Sequence, residues 1–165
     1  MTAANHPPSK VRVATRADEE GLVQLCAALN AEIGLFAPDF AKIRTTLREA
    51  FIPPVNMRRS IIGIIGRENG PIQGAIYISI LQEWYSQQDF CHELFNFVYP
   101  EYRAGTNNSH DLISWAKYIA DEFNLPLLIG VLSNERTEAK VRHYRKQFGA
   151  PRGAYFGYNF ADGVM

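Results

Sequence analysis

The sequence predicts a mixed α/β fold, one sheet with helices interleaved along the chain. Short runs rich in Ile, Val, Tyr and Phe recur between stretches whose apolar residues fall at helical spacing. Gly, Pro, Asn and Asp punctuate the boundaries between them. With 165 residues, 47% hydrophobic and 12% aromatic, the chain has core enough for one domain, expected over 10–165 behind a flexible tail at 1–9. No internal repeat or low-complexity segment interrupts it.

Lys10 to Thr15 alternates as an outer strand would, with Val11, Val13 and Thr15 on one face. Thr15-Arg16-Ala17-Asp18 then matches the hydroxyl-x-x-acid start of a helix. Leu22, Leu25, Cys26, Leu29 and Ile33 continue it at helical spacing, and Gly34 ends it. A second helix is expected from Pro38 or Asp39 to Ala50, stopped by Pro53-Pro54. Ser60–Arg67 and Ile72–Leu81 read as strands flanking Glu68-Asn69-Gly70-Pro71, a hairpin turn. Cys91–Val98 is a further strand ahead of Pro100. Leu112, Ile113, Ala116, Ile119, Ala120 and Phe123 line one side of a long helix over 109–123. Leu125–Leu132 is almost wholly apolar, as a strand buried on both faces is. Asn134 suits the N-cap of a helix reaching Gln147 or Phe148, and Tyr155–Phe160 reads as a terminal strand. The order is βααβββαβαβ.

Seventeen Lys and Arg against 17 Asp and Glu give a formal net charge of +0, which disfavours nucleic acid as a partner. Near-neutrality also gives little repulsion between copies, so a homodimer is compatible with it. The two cysteines, Cys26 and Cys91, make no disulfide framework, and His6, His92, His110 and His143 lack metal-ligand spacing. No run approaches the roughly 18 apolar residues of a membrane span. The N-terminal residues show no leader pattern, so a cytosolic setting is expected.

The segment that carries chemistry is Phe97-Val98-Tyr99-Pro100-Glu101-Tyr102-Arg103-Ala104-Gly105-Thr106-Asn107-Asn108. A strand ends in a loop holding Arg and Gly, and a helix starts at once. Unpaired N–H groups at a helix start suit a pyrophosphate, although Pro and Gly also mark ordinary turns. The Val-x-Pro-Glu-Tyr-Arg run and the element order resemble the GNAT superfamily of acyl-CoA-dependent N-acetyltransferases. The stretch from Asn134 to Tyr144-Arg145-Lys146-Gln147-Phe148-Gly149 is similar to that family's Asn…Tyr-x-x-x-Gly-Phe helix, and the likeness runs over 10–160. Leu132-Ser133-Asn134-Glu135-Arg136-Thr137 also resembles a branch common in phage-related genes. The chain departs from the family loop at three positions. Gly105 falls one place early, Thr106 stands at the usual loop glycine, and Asn108 replaces the closing Gly or Ala.

The resemblance implies a mostly antiparallel sheet of six to seven strands with about four helices, splayed between the fourth and fifth strands. It implies acetyl-CoA as co-substrate, with no metal, and direct attack by an amine in a ternary complex. Asn96, Phe97 and Val98 would face pantetheine, and the Val98 N–H would polarise the thioester carbonyl. Arg103, Ala104, Gly105, Thr106, Asn107, Asn108 and Ser109 would hold the pyrophosphate, with Asn134 on the CoA arm and Arg142 near the phosphates. Tyr144 would protonate the departing thiolate.

Attack needs a neutral amine, and Glu83 and Glu93 are the carboxylate candidates for its base, with His92 behind them. Strict alternation puts Glu93 with Phe95 and Phe97, and His92 with Asn96 and Val98. For each of the three a solvated surface role stays open. Phe36, Trp84 and Tyr85 would line a pocket for an amine-bearing small molecule or peptide, or serve only as a hydrophobic lid. The altered loop leaves an alternative standing, a catalytically weak acyl-CoA-binding sensor or interaction module.

Overall fold

The computed structural model describes residues 10–52, 59–133 and 136–159. The expected tail at 1–9, the Pro53-Pro54 stop and Asn134 lie outside them. The elements are β1 (Val11–Val13), α1 (Glu19–Ile33), α2 (Phe40–Glu49), β2 (Ser60–Ile65), β3 (Gly74–Gln82), β4 (Asp89–Val98), α3 (Asn108–Phe123), β5 (Leu127–Leu128) and α4 (Thr137–Phe148). Single 3₁₀ turns at Arg16–Asp18 and Pro100–Tyr102 lead into α1 and out of β4.

Local chemistry sets the boundaries. The Asp18 carboxylate accepts the Thr15 N–H at 2.9 Å and both terminal nitrogens of Arg12 at 2.7 and 2.8 Å, tying β1 to the start of α1. Gly34 closes α1 at φ 65°, and Asn124 closes α3 at φ 52°. Asp39 caps α2 by accepting the Lys42 N–H at 3.0 Å. In the turn between β2 and β3, Asn69 takes the left-handed conformation at φ 59°.

The strands lie in the order β1-β2-β3-β4-β5, antiparallel except for the parallel pair β4–β5. One face packs Leu22, Leu25 and Cys26 of α1 and Leu47 of α2 against Ile62, Ile64, Ala75, Tyr77 and Phe97. The other packs Leu112, Trp115, Ala116 and Ile119 of α3 against Ile65, Ile76, Ile78, Cys91 and Val98. Trp115 lies so close over β2 that a Cβ at Gly63 would meet its ring at 2.7 Å.

Two departures from the expected layout bear on function. Of the run 125–132 only Leu127 and Leu128 pair as a strand, and 155–159 forms none, so the described residues make five strands rather than six or seven. Tyr155, Phe156 and Tyr158 are 82, 95 and 89% exposed and find no sheet edge, and Asn159 turns left-handed at φ 57°. Within β4, Tyr77 pairs with Phe95 and Ile78 with Glu93, so Leu94 is an unpaired bulge.

Candidate active site at the split between the fourth and fifth strands

The parallel pairing of β4 with β5 covers two positions, Cys91 with Leu127 and His92 with Leu128. Beyond them the chains part, and the Glu93 carboxylate accepts the Gly130 N–H at 3.1 Å across the opening. On the other side of β4 the ladder to β3 runs on to Val98, where the Tyr99 N–H donates to the Gln73 carbonyl at 3.0 Å. Alternation of an antiparallel ladder then turns the peptide groups of Asn96 and Val98 away from β3 and into the split. Phe97 is placed otherwise: its peptide faces β3 and its side chain, 3% exposed, belongs to the core.

The Leu94 bulge corrects the face assignments drawn from strict alternation. It puts Glu93 on the face of Asn96 and Val98, toward α3 and α4, and leaves His92 with Phe95 and Phe97 toward α1 and α2. There His92 meets Phe90 edge to face, and its Nδ1 is buried with no hydrogen-bond partner among the described residues. On the opposite face the Asn96 amide donates to the Tyr144 hydroxyl at 3.0 Å, joining β4 to α4. Burial raises the Glu93 carboxyl to about 7, although the Gly130 N–H and Lys140 pull it down. Burial and the Glu93 charge push the Tyr144 phenol far above its ordinary value, against the pull of the Asn96 bond. A carboxyl that titrates near neutrality thus sits with a phenol that stays protonated.

The loop before α3 is built differently from its expected form. Gly105 takes the left-handed conformation at φ 69° with open space where a Cβ would stand. The Thr106 hydroxyl donates to the Tyr102 carbonyl at 2.7 Å, and the Asn108 N–H reaches that hydroxyl at 3.4 Å. Asn108 is 3% exposed, and its amide donates to Gln73 Oε1 and the Tyr102 carbonyl, both at 3.2 Å. Its side chain is turned inward and props the loop from beneath. Ala104 and Asn107 are exposed, and the Asn107 carbonyl accepts the Asp111 N–H at 2.8 Å as the first bond of α3. The Ser109 hydroxyl lies 3.3 Å from His143 Nε2, so α4 begins to cover the helix start. Burial, with help from His110 and Lys146, holds His143 below its ordinary value.

Arg103, expected at the phosphates, makes its contacts within the protein. Its Nε donates to the Val98 carbonyl at 2.7 Å, its Nη2 bonds Glu32 at 2.5 Å, and its guanidinium lies 5.2 Å over the Phe97 ring. The cations beside the loop are instead Lys10 and Arg67, which with Gly66, Gln73 and 105–108 line a cavity of about 530 Å³. Lys10 immediately precedes β1 and Arg67 lies in the β2–β3 turn, both remote in sequence from the loop, and only the topology brings them there. Arg142 points to solvent, 69% exposed, with its nearest ion-pair partner Glu138 on the same helix at 3.8 Å.

Glu83 is exposed in the β3–β4 turn, past the Gln82–Asp89 pair and so toward the closed end of the β4–β5 pairing. Trp84 and Tyr85 follow it, 93 and 71% exposed and packed edge to face at 5.4 Å. Phe36, 64% exposed, stands on a separate loop between α1 and α2. A second cavity, about 460 Å³ between the start of α1 and the β2–β3 turn, holds Asp18, Glu68 and Glu101 and contains none of these groups. No helix among the described residues is long and apolar enough to cross a membrane, and none of their His, Cys, Asp and Glu side chains cluster in threes suited to a metal.

No family model matches this sequence, and no curated protein does. Solved structures do match, over nearly the whole length of both chains. An acetyltransferase from Trypanosoma brucei superposes with a TM-score of 0.65 at 18% identity, covering 90% of this chain and 97% of its own. AAC(6')-Iy, solved with the bisubstrate analog CoA-S-monomethyl-acetylneamine, gives 0.67 at 14%, with 90 and 95% covered. A ribosomal-protein-alanine N-acetyltransferase from Brucella melitensis gives 0.63 at 16%, with 91 and 97% covered. At such identities the likeness is one of fold.

Proposed function

We propose that this chain, which has the fold of the GNAT acetyltransferases, moves an acetyl group from acetyl-CoA to a primary amine by direct attack in a ternary complex. The observation that carries the reading is the Asn96–Tyr144 hydrogen bond beside partly buried Glu93, at the point where β4 and β5 part. Acetyl-CoA supplies the activated thioester, and the chain's own groups supply binding, proton transfer and charge stabilisation.

The first-turn N–H groups of α3 and the cations Lys10 and Arg67 favour phosphates at the 105–109 loop. The Val98 N–H, turned into the split, is the donor this reading assigns to the thioester oxygen. Glu93, half ionised near pH 7, takes the proton that an incoming ammonium must lose. Tyr144 accepts a hydrogen bond from Asn96, which leaves its own O–H proton to be given to the departing thiolate. Asn134 keeps its assignment to the CoA arm, and Phe36, Trp84 and Tyr85, exposed on two separate loops, keep theirs to the binding of an amine-bearing small molecule or peptide. Two buried free thiols, Cys26 and Cys91, each raised by burial to about 11, are consistent with a reducing cytosol.

Calorimetric titration of acetyl-CoA, with dephospho-CoA as control, tests the cofactor half of the reading. Micromolar binding that weakens without the 3′-phosphate is expected, and no binding at millimolar levels overturns it. Tyr144→Phe should then lower turnover by roughly a hundredfold or more while leaving acetyl-CoA affinity nearly intact. Equal loss of both would remove Tyr144 from the role of acid.

A further inference from the structure

The mechanism above leaves one ionic cluster unused. Glu32, near the end of α1, has a side chain 20% exposed, and its Oε2 is held by Arg103. Its Oε1 is buried and makes no hydrogen bond among the described residues. The cation facing that oxygen is the Lys140 ammonium at 3.6 Å, an ion pair beyond hydrogen-bond length. Arg103 is fixed by the Val98 carbonyl and the Phe97 ring, so it stays on Oε2. Lys140 lies one helical turn before Tyr144, on the same side of α4, and its charge acts on both Glu32 and Glu93.

Burial works to raise Glu32, but the Arg103 hydrogen bond and the charges of Arg103, Lys140 and Arg136 outweigh it and keep its carboxylate ionised. Two carboxylates of opposite character therefore flank one ammonium. The first is a fixed anion able to bind a cation, and the second is a weaker acid able to take its proton. An acceptor amine needs both in that order.

We infer that Glu32 is the specificity residue for the acceptor: its Oε1, which makes no hydrogen bond among the described residues, receives an N–H of a primary ammonium, in the place that the Lys140 head group takes here. Lys140 is a place-holder that the substrate displaces. An ammonium with N–H donors is selected over a quaternary one, because only the former satisfies the buried oxygen.

The inference rests on the proposed acyl transfer, and its test separates the two. With the full chain saturated by CoA, which supports no turnover, benzylammonium is titrated by ligand-observed saturation-transfer NMR, with benzyltrimethylammonium as the control. Saturable binding of benzylammonium alone is expected, weakened about tenfold or more by Glu32→Gln. Lys140→Met should tighten it several-fold, a gain of binding that a damaged fold would not produce. If benzylammonium fails to bind, if both cations bind alike, or if Glu32→Gln changes nothing while CoA still binds, this inference falls and the acyl-transfer reading stands. If CoA itself fails to bind, that reading falls and takes the inference with it.

Discussion

Glu93 shows how one residue's surroundings set its protonation and, through it, stability. Its folded-state value of about 7, raised from 4.5, means that the folded chain keeps a proton the unfolded chain has already released between those two pH values. Stability therefore falls as pH rises through that window and regains nothing above it. Glu93→Gln is neutral at every pH and escapes the loss. At about pH 8 it should be more stable than the parent by on the order of 2 kcal/mol, read from denaturant midpoints. The same substitution should abolish the rising limb of kcat/KM near pH 7, because no carboxylate is left to take the amine's proton. A Glu93→Gln protein that is less stable at that pH, or that keeps the rising limb, would reduce Glu93 to a structural acceptor for the Gly130 N–H.

At the scale of elements, the loop before α3 is the most informative departure from its sequence pattern. The Thr106 and Asn108 changes look like damage when aligned on Arg103, yet the left-handed turn is kept by Gly105 one place earlier, and Asn108 is turned inward to Gln73 and Tyr102. Asn108→Ala should accordingly cost about 1–3 kcal/mol, because it removes two part-buried hydrogen bonds and leaves Gln73 Oε1 without this donor, while Gly105→Ala should cost about 1 kcal/mol through its positive φ. Both follow from thermal unfolding, and a neutral Asn108→Ala would mean the loop stands without its prop. Helix positions and the order of strands were legible because periodicity, the Asp39 cap and the Gly34 stop are local signals. Motif resemblance singled out Tyr144 and Val98, which the fold brings to the split between β4 and β5. The Leu94 bulge was not, since one unpaired residue leaves no mark on an alternating pattern but reverses the face of every residue before it. Glu32, Lys10 and Arg67 were not legible for another reason. Their partners lie tens of residues away, and only the folded topology brings them together.

For the molecule as a whole, Glu93 and Tyr144, the groups proposed for proton transfer, sit at the junction of a well-buried body and a loosely held flank. β2, β3 and α3 contribute most of the fully buried side chains, whereas α4 contains no buried residue. It is held by side-chain bonds: Lys117 to the Gln147 carbonyl at 2.7 Å and over Phe148, Ser109 to His143, Asn96 to Tyr144, and Lys140 to Glu32. Few buried apolar contacts mean a low cost of local opening, so 129–133 and α4 should exchange amide hydrogens well before β3 does. A ligand threaded through the split touches both sides of that junction and should protect this flank first. A hundredfold excess of acetyl-CoA over its dissociation constant should add about 2.7 kcal/mol to stability, with the slowing of exchange concentrated in 129–133 and 137–148. Protection centred instead on the start of α1 and on 68–72, with 105–109 and 129–133 unprotected, would put the ligand in the acidic cavity there, and the split would no longer be the working site. The pattern of exchange thus tests where the ligand binds independently of whether any acceptor amine has been found.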